Sequence, residues 1–190
     1  KMVEGLMDQP GIPPGISVAI GFNDEIIFAK GYGYSNLETK KPVTTKTQFR
    51  AASVSKIITV TALAKLLEEE KLSMNDFVHQ YLLTYPKKEY PITVEQLTGH
   101  LSGTPHYSAN DKIERHFYNS VEDALGVFSH ISLLHKPGEK YQYSTHGYTL
   151  LSGVMEKASN QDFLMVLNDK LFEPLSMFST GPDMRRNTSI

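Results

Sequence analysis

A serine and a lysine three residues apart are the first candidates for chemistry in this chain. Ser53-Val54-Ser55-Lys56 lies where an irregular stretch gives way to a predicted amphipathic helix. Backbone N–H groups at a helix N-terminus favour negative charge, and a lysine three residues later lies one turn on along the same face. If burial lowers the pKa of Lys56, its amine can accept the Ser53 proton and generate an acylating nucleophile. We therefore expect the Ser53 hydroxyl to lie within hydrogen-bond distance of the Lys56 amine.

The spacing of this pair is weak evidence by itself. With 16 serines and 15 lysines in 190 residues, about one Ser-x-x-Lys sequence is expected by chance. The context adds weight, because a predicted β-hairpin precedes the pair and Tyr143-Ser144-Thr145 follows it, just before another predicted helix. A tyrosine in that position is more typical of a packed aromatic with a hydrogen-bonded hydroxyl. We nevertheless predict that Tyr143 approaches Ser53 from a loop, where catalytic groups are commonly placed.

The sequence gives little support for metal sites, dinucleotide binding or cysteine chemistry. No two histidines are three or four residues apart, so no helix presents a paired set of metal ligands, and the histidines are interpreted as surface or hydrogen-bonded core residues. Gly31-Tyr32-Gly33 lacks the third glycine of a dinucleotide fingerprint and is interpreted as relief of a twisted strand end. The chain has no cysteine, which excludes disulfides, thiolate metal sites and cysteine nucleophiles. Neither a metal nor a cofactor is expected. The histidines are His79, His100, His106, His116, His130, His135 and His146.

The charge and hydropathy of the chain limit its partners. A net charge of -2 leaves no basic excess to neutralise phosphates, so nucleic acid is not expected as a partner. No apolar run approaches the 18 or so residues of a membrane helix, and the first residues lack the apolar region of a signal peptide. The expected partners are a small-molecule or peptide substrate and further copies of the chain.

The pattern of apolar residues predicts a short helix, a β-hairpin and then helices. Alternation over 16–22 and 25–34, with Asn23-Asp24 between the two runs, is the strongest short-range signal for a hairpin. A loop follows over 36–47, and helical spacing begins near Ala51, with Ile57, Val60, Ala64 and Leu67 as one apolar stripe. Helix starts are predicted at Thr93 and Ser120, and another helix carries Leu150, Leu151, Val154 and Met155.

These elements predict an α+β chain in three parts. Residues 1–50 hold the N-terminal helix and the hairpin, 51–175 form a helical domain with the Ser-x-x-Lys and Tyr-Ser-Thr sequences, and 176–190 form a loop. A two-stranded hairpin is marginally stable alone. We therefore expect the chain to be the N-terminal portion of a larger fold, with only its first two strands, and to self-associate when isolated.

An ordered set of motifs resembles the serine β-lactamase and penicillin-binding-protein family, particularly the branch with class C β-lactamases, related esterases and D-amino-acid peptidases. Similarity to mitochondrial members from animals lies in Tyr85-Pro86-Lys87-Lys88-Glu89-Tyr90, in His100-Leu101-Ser102-Gly103 with His106-Tyr107, and in Tyr-Ser-Thr in place of Tyr-Ser-Asn. The segments that carry the resemblance are Pro10-Gly11-Ile12-Pro13, Gly31-Tyr32-Gly33-Tyr34, Pro42-Val43-Thr44, 49–56, 97–103, Lys136-Pro137-Gly138 and 143–151.

The resemblance implies a fold and a set of roles. The fold would be an antiparallel sheet flanked by helices plus a helical domain, with the active site between them. Ser53 would be the acylated nucleophile, Lys56 its proton acceptor and Tyr143 the group that protonates the leaving atom, with no cofactor. Thr145 would contact substrate in place of the usual asparagine, offering one hydroxyl where an amide both donates and accepts.

One family motif departs from the pattern. Members carry Lys- or His-Thr-Gly on a late strand, and Ser179-Thr180-Gly181 follows Tyr143 too closely to match it. We interpret this tripeptide as a coincidence and expect the third motif and one oxyanion donor to be missing, which predicts that the isolated chain does not turn over substrate.

Three functions remain open at this point. The first is a serine hydrolase acting on an amide, ester or peptide, with a mitochondrial location implied by the resemblance, or a periplasmic or extracellular one in a bacterium. The second is a non-catalytic protein that keeps the fold for self-assembly or scaffolding. The third is a plain helical interaction domain in which Ser-x-x-Lys is accidental.

Overall fold

The computed structural model describes residues 2–7, 9–107 and 118–183, and the chain forms two compact units with their boundary between Arg50 and Ala51. The first unit holds one short helix and a small sheet, and the second holds the remaining helices. The mixed α+β class predicted from the sequence is confirmed. Within the described part of the chain, no helix has the length and apolar character needed to cross a bilayer.

The hairpin of the first unit forms where the sequence predicts it. Strand β1 (Gly15–Phe22) pairs antiparallel with β2 (Glu25–Asn36), and helix α1 (Met2–Met7) precedes them. Asn23 and Asp24 connect the strands with φ of +48° and +61°. Two consecutive left-handed residues are what a two-residue type I′ turn requires, and asparagine and aspartate tolerate that conformation better than other residues with a side chain.

A third strand was not predicted. Strand β3 (Lys41–Pro42) pairs antiparallel with the end of β2, giving a three-stranded sheet in the order β1-β2-β3, so the expectation of only two strands with a loop over 36–47 is wrong. Two residues are too few to show alternation, and a proline, which cannot donate a ladder hydrogen bond, argues against a strand. Gly33 lies within β2 with φ of +68°, and an added Cβ would lie 2.1 Å from the Pro14 carbonyl oxygen, so this position requires glycine; the role of Gly31 and Gly33 in relieving a twisted strand end stays a prediction.

The second unit is a set of helices around one apolar core. Its longest helices are α2 (Ser55–Glu68) and α6 (Thr145–Ser159), and Leu150, Leu151, Val154 and Met155 of α6 are all buried, as predicted. A 3₁₀ turn (Ala52–Val54) precedes α2 and a π-helical turn (Asn168–Phe172) follows the last helix. The shorter helices are α3 (Val78–Tyr81), α4 (Val94–Thr98), α5 (Val121–Gly126) and α7 (Phe163–Leu167).

Helix α2 buries a different stripe from the predicted one. Thr59, Ala62, Leu63 and Leu66 are buried, whereas Ile57 is exposed and Ala64 lies on the exposed side. Apolar residues occur on most of the circumference of α2, so periodicity allows more than one inward face, and packing against α6 and α7 selects it.

The predicted helix starts are confirmed at α4 and α5. The Thr93 hydroxyl accepts from the Gln96 N–H at 3.2 Å while the Gln96 side chain accepts from the Thr93 N–H at 3.0 Å, a complete capping box. The Ser120 hydroxyl accepts from the Asp123 N–H at 3.0 Å. Helix α4 ends directly before the loop that contains His100 and His106, so its cap helps to position that loop.

Candidate active site

Ser53 lies in the 3₁₀ turn that leads directly into α2, so the prediction of a serine at the N-terminal end of a helix is confirmed. The residue before it, Ala52, has φ of +45°. For a residue with a Cβ such a conformation costs roughly 1–3 kcal/mol, and these outliers concentrate at functional sites. The side chain of Ser53 is exposed, which leaves its hydroxyl accessible to a substrate.

The structure brings Tyr143 to Ser53 across 90 residues of sequence. The two hydroxyl oxygens are 2.7 Å apart, a hydrogen bond in which either group can donate. Tyr143 belongs to the irregular segment 141–144 immediately before α6, so it reaches the serine from a loop, as predicted. Since this loop is joined to a rigid helix, the phenol is held in place at low entropic cost.

Lys56, in the first turn of α2, points to the same segment. Its Nζ donates to the Thr145 hydroxyl at 3.3 Å and lies 4.8 Å from the centroid of the Tyr143 ring and 5.6 Å from that of Tyr148. The Ser53 hydroxyl bonds to Tyr143 and the Lys56 amine bonds to Thr145, so the predicted hydrogen bond between Ser53 and Lys56 is wrong. Helical spacing considers only residues on one helix, whereas the partners of both side chains come from the segment before α6 and its first residue.

The two neighbours of the Tyr143 phenol in this cluster change its acidity. Interaction with the Lys56 ammonium, and next the hydrogen bond with Ser53, lower the pKa of Tyr143 from its usual value near 10. Tyr143 therefore lies between the other two groups: its phenol is hydrogen-bonded to the Ser53 hydroxyl, and its ring centroid lies 4.8 Å from the Lys56 ammonium. This combination suits proton transfer from a serine nucleophile, and we refer to Ser53, Tyr143 and Lys56 as the serine cluster.

Two histidines with no predicted role at the site hold the segment that carries Tyr143. The Ser144 N–H donates to His100 Nδ1 at 3.1 Å, and the Thr145 N–H donates to His106 Nδ1 at 3.2 Å. The interpretation of these residues as hydrogen-bonded histidines is thus right in kind but missed their location. The signal that could have located them was their place in the His100-Leu101-Ser102-Gly103 and His106-Tyr107 sequences, which carry part of the family resemblance. The spacing between histidines bears only on metal binding.

Ser144 begins α6 and joins it to the same loop. Its hydroxyl accepts from the Gly147 N–H at 2.9 Å, the usual N-cap bond, and donates to the Pro105 carbonyl at 2.8 Å. Ser144 is buried, so both bonds are shielded from water. One serine therefore fixes the start of α6 and its distance from the loop.

Other sequence features lie outside this cluster. Among residues 2–7, 9–107 and 118–183, no three His, Asp or Glu side chains are grouped in a way that could hold a metal ion. Gly31 and Gly33 belong to β2, and Ser179-Thr180-Gly181 is irregular. His116 lies outside the described residues, so its predicted interpretation has no structural counterpart.

Comparison with protein families places the chain in one of them. The family model described as "Beta-lactamase" matches residues 1–183. This match confirms the resemblance inferred from the sequence at the level of the family, and the narrower class C branch stays a prediction. A fold shared with this family also makes the alternative of a plain helical domain wrong.

Two curated relatives are similar over nearly the whole chain. "Protein flp" from Staphylococcus aureus (strain MW2) is 30% identical over 176 residues, which is 90% of this chain and 35% of that protein. "Serine beta-lactamase-like protein LACTB, mitochondrial" from Homo sapiens is 28% identical over 249 residues, which covers 94% of this chain and 45% of that protein. The chain thus spans well under two thirds of the length of these relatives.

Solved structures show the same fold. The "octameric penicillin-binding protein homologue from Pyrococcus abyssi" is 29% identical with a TM-score of 0.79, covering 93% of this chain and 42% of that one. "EstCE1, a hydrolase with promiscuous acyltransferase activity" is 27% identical with a TM-score of 0.76, covering 86% of this chain and 47% of that one. The predicted β-lactamase/transpeptidase-like fold is therefore confirmed.

Proposed function

The chain belongs to the beta-lactamase family, and from that premise we propose that it contributes the nucleophile of a serine hydrolase that works by acyl transfer through Ser53. The substrate would be an amide, an ester or a peptide. The observation that carries the proposal is the 2.7 Å hydrogen bond between the Ser53 and Tyr143 hydroxyls beside the Lys56 ammonium. The hydrolase character of the structural relative EstCE1 supports the reaction class.

The geometry supports a specific order of proton transfers. Ser53 Oγ attacks the substrate carbonyl carbon while its proton passes to the Tyr143 oxygen, and the bond to the leaving atom breaks as Tyr143 returns that proton to it. Water then attacks the acyl carbon while its proton passes to the Tyr143 oxygen, and the bond to Ser53 Oγ breaks as Tyr143 returns that proton to Oγ, which releases the carboxylic acid and restores Ser53. Lys56 was expected to accept the proton itself, but Tyr143 is the group bonded to Ser53, so we assign Lys56 to stabilising the phenolate.

Thr145, which is hydrogen-bonded to Lys56, is also proposed to contact the substrate. Its hydroxyl oxygen accepts from Lys56, and a hydroxyl can also donate, so Thr145 could donate to a substrate carbonyl or carboxylate when substrate binds. One hydroxyl makes fewer bonds than the asparagine expected from the family pattern. This difference would affect which substrates bind more than the acylation chemistry.

The proposal is tested by covalent labelling, which requires acylation chemistry at Ser53 but no turnover. The protein is treated with a fluorophosphonate probe, and the modified peptide is identified by mass spectrometry. We expect labelling of Ser53 in the wild-type protein and none in Ser53→Ala. Ser55→Ala is the matched control, because Ser55 is only two residues away, at the first residue of α2, and its loss should leave labelling at the wild-type rate. Labelling that ignores the Ser53 substitution would refute the assignment.

A second candidate function is self-assembly without catalysis, which the octameric state of the relative from Pyrococcus abyssi favours. Molar mass by light scattering tests it. A defined oligomer that persists in Ser53→Ala, together with no labelling of the wild-type protein, would support this candidate over the hydrolase.

A mitochondrial location also stays a prediction, because the matched relatives include a mitochondrial protein and bacterial proteins.

A further inference from the structure

The segment 141–144, which carries Tyr143, has no regular structure of its own, and it is hydrogen-bonded to the loop 100–106. Three backbone N–H groups from this segment and from the first residue of α6 donate to that loop: Gln142 to the His100 carbonyl at 2.8 Å, Ser144 to His100 Nδ1 at 3.1 Å, and Thr145 to His106 Nδ1 at 3.2 Å. Two of these three acceptors are imidazole nitrogens. The position of the phenol therefore depends on the state of two histidine rings.

An imidazole nitrogen accepts a hydrogen bond only when it carries no proton. In both rings the Nδ1 atom faces a backbone N–H, so the ring must be neutral with its proton on Nε2. A protonated ring carries an N–H at both positions, and its Nδ1–H would then point at the N–H of Ser144 or Thr145. Protonation replaces an attraction with a repulsion at each of the two contacts.

The surroundings of His100 favour the neutral form. Its ring lies 4.6 Å from that of Tyr143, 5.0 Å from Tyr148 on α6 and 5.7 Å from Tyr141. Burial is the main cause of the lowered pKa of His100, and repulsion by Lys56 on α2 and by His106 on its own loop adds to it.

His106 is held in the same way. Its ring lies 4.0 Å from that of Tyr107 and 5.4 Å from that of Tyr143, in a T-shaped contact. Burial, and then repulsion by the Lys56 ammonium, lower the pKa of His106. The cation of the serine cluster thus also helps to keep the two supporting rings neutral, which links the protonation of the site to its geometry.

We propose that His100 and His106 are positioning residues that hold Tyr143 and Thr145 against Ser53 and Lys56, and that protonation of either ring at acidic pH releases the segment. The inference rests on the proposed function of the serine cluster. A displacement of about 1 Å of a catalytic group can cost about 100-fold in rate. Neither histidine takes part in proton transfer with substrate.

Substitutions at His100 and His106 can distinguish the hydrogen-bond acceptor atom Nδ1 from the imidazole ring that carries it. Asparagine places its Oδ1 where Nδ1 stood and accepts at every pH, whereas leucine offers no acceptor. We expect His100→Leu and His106→Leu to slow fluorophosphonate labelling of Ser53 by about 10- to 100-fold. His100→Asn and His106→Asn should stay within about threefold of wild type. His130→Asn, at an exposed histidine outside the site, is the matched control.

The dependence of the Ser53 labelling rate on pH distinguishes a positioning role from a merely structural one. Wild-type labelling should fall at acidic pH as the two rings gain protons and the segment is released, whereas the double asparagine variant should keep its rate further into the acidic range. A double variant whose acid limb coincides with that of the wild type would overturn the proposal.

A direct structural readout distinguishes failure of this proposal from failure of the proposed function. Nitrogen-15 NMR of the imidazoles should show Nε2–H tautomers for both rings, and the Ser144 and Thr145 amides should exchange slowly at neutral pH and quickly at acidic pH. If Ser53 is never labelled but these signals behave as stated, the hydrolase assignment fails and the positioning role stands. If Ser53 is labelled but either ring is an Nδ1–H tautomer at neutral pH, the positioning role is overturned. The wild-type spectra decide this even if a leucine variant does not fold.

Discussion

Replacing Tyr143 with phenylalanine separates the chemistry of the site from its packing. The substitution removes one oxygen atom, which is the hydrogen-bond partner of Ser53 at 2.7 Å. The ring stays, and with it the contacts at 4.6 Å to the His100 ring, at 5.4 Å to the His106 ring and at 4.8 Å to the Lys56 ammonium. Any change in rate can therefore be assigned to the hydroxyl.

The structure sets different magnitudes for activity and stability. A positioned general base contributes about 100- to 10,000-fold, which corresponds to roughly 2.7–5.4 kcal/mol of activation free energy at about 1.36 kcal/mol per tenfold. The free energy of unfolding should change by only about 0.5–1.5 kcal/mol, because one hydrogen bond to an exposed hydroxyl is lost and no apolar contact is removed. We thus expect a large loss of Ser53 reactivity in a protein that remains folded.

The assay is the second-order rate constant for fluorophosphonate labelling of Ser53, measured beside urea denaturation of the same preparation. Tyr141→Phe is the matched control, because Tyr141 is an exposed tyrosine two residues away that also contacts the His100 ring. It should label at the wild-type rate. A Tyr143→Phe protein that labels within about threefold of wild type would remove Tyr143 from the proton path. A rate loss accompanied by an equal loss for Tyr141→Phe would point to disturbed packing instead.

Three further predictions concern stability. The pKa values of His100 and His106 are lowered in the folded chain, whereas histidines in the unfolded chain have pKa values near 6.5, so below that pH the unfolded chain binds more protons. The urea midpoint should therefore stay constant above pH 6.5 and fall as the pH drops below it. A midpoint that rises on acidification would contradict the assigned shifts. Gly103→Ala should destabilise by about 2 kcal/mol or more, because Gly103 has φ of +71° and an added Cβ would lie 2.3 Å from a backbone carbonyl oxygen; a urea midpoint equal to that of wild type would contradict the turn geometry. Leu150→Ala should cost about 2–5 kcal/mol, since Leu150 is 0% exposed in the core of α6; the exposed Leu164, replaced in the same way, should change the thermal midpoint far less.

Local chemistry made several elements predictable from the sequence. The hairpin follows from alternation and from Asn23-Asp24, which accept the left-handed backbone of a tight turn. The starts of α4 and α5 follow from Thr93 and Ser120, whose hydroxyls accept from N–H groups three residues on. The turn and both caps are formed by groups within four residues of one another, so local spacing is sufficient to predict them.

Prediction was weaker where the partner of a residue is distant in the sequence. Strand β3 exists only because β2 offers it an edge to pair with, and Lys41-Pro42 shows no strand pattern by itself. The buried face of α2 depends on which other helices pack against it, so Ile57 was placed in a stripe that the structure leaves exposed. Neither result can be obtained from periodicity alone.

The candidate site divides in the same way. Residue types and a resemblance to a family marked Ser53, Lys56, Tyr143 and Thr145 as candidates, because the capacity of a side chain to act as a nucleophile or proton carrier is set by its chemistry, which the sequence states directly. Only the tertiary structure decided their pairing: Ser53 with Tyr143 and Lys56 with Thr145. It also brought the loop of His100 beneath that segment. Hydrogen bonds act over about 3 Å, so contacts between residues that are 40 to 90 positions apart exist only after the core has folded around them.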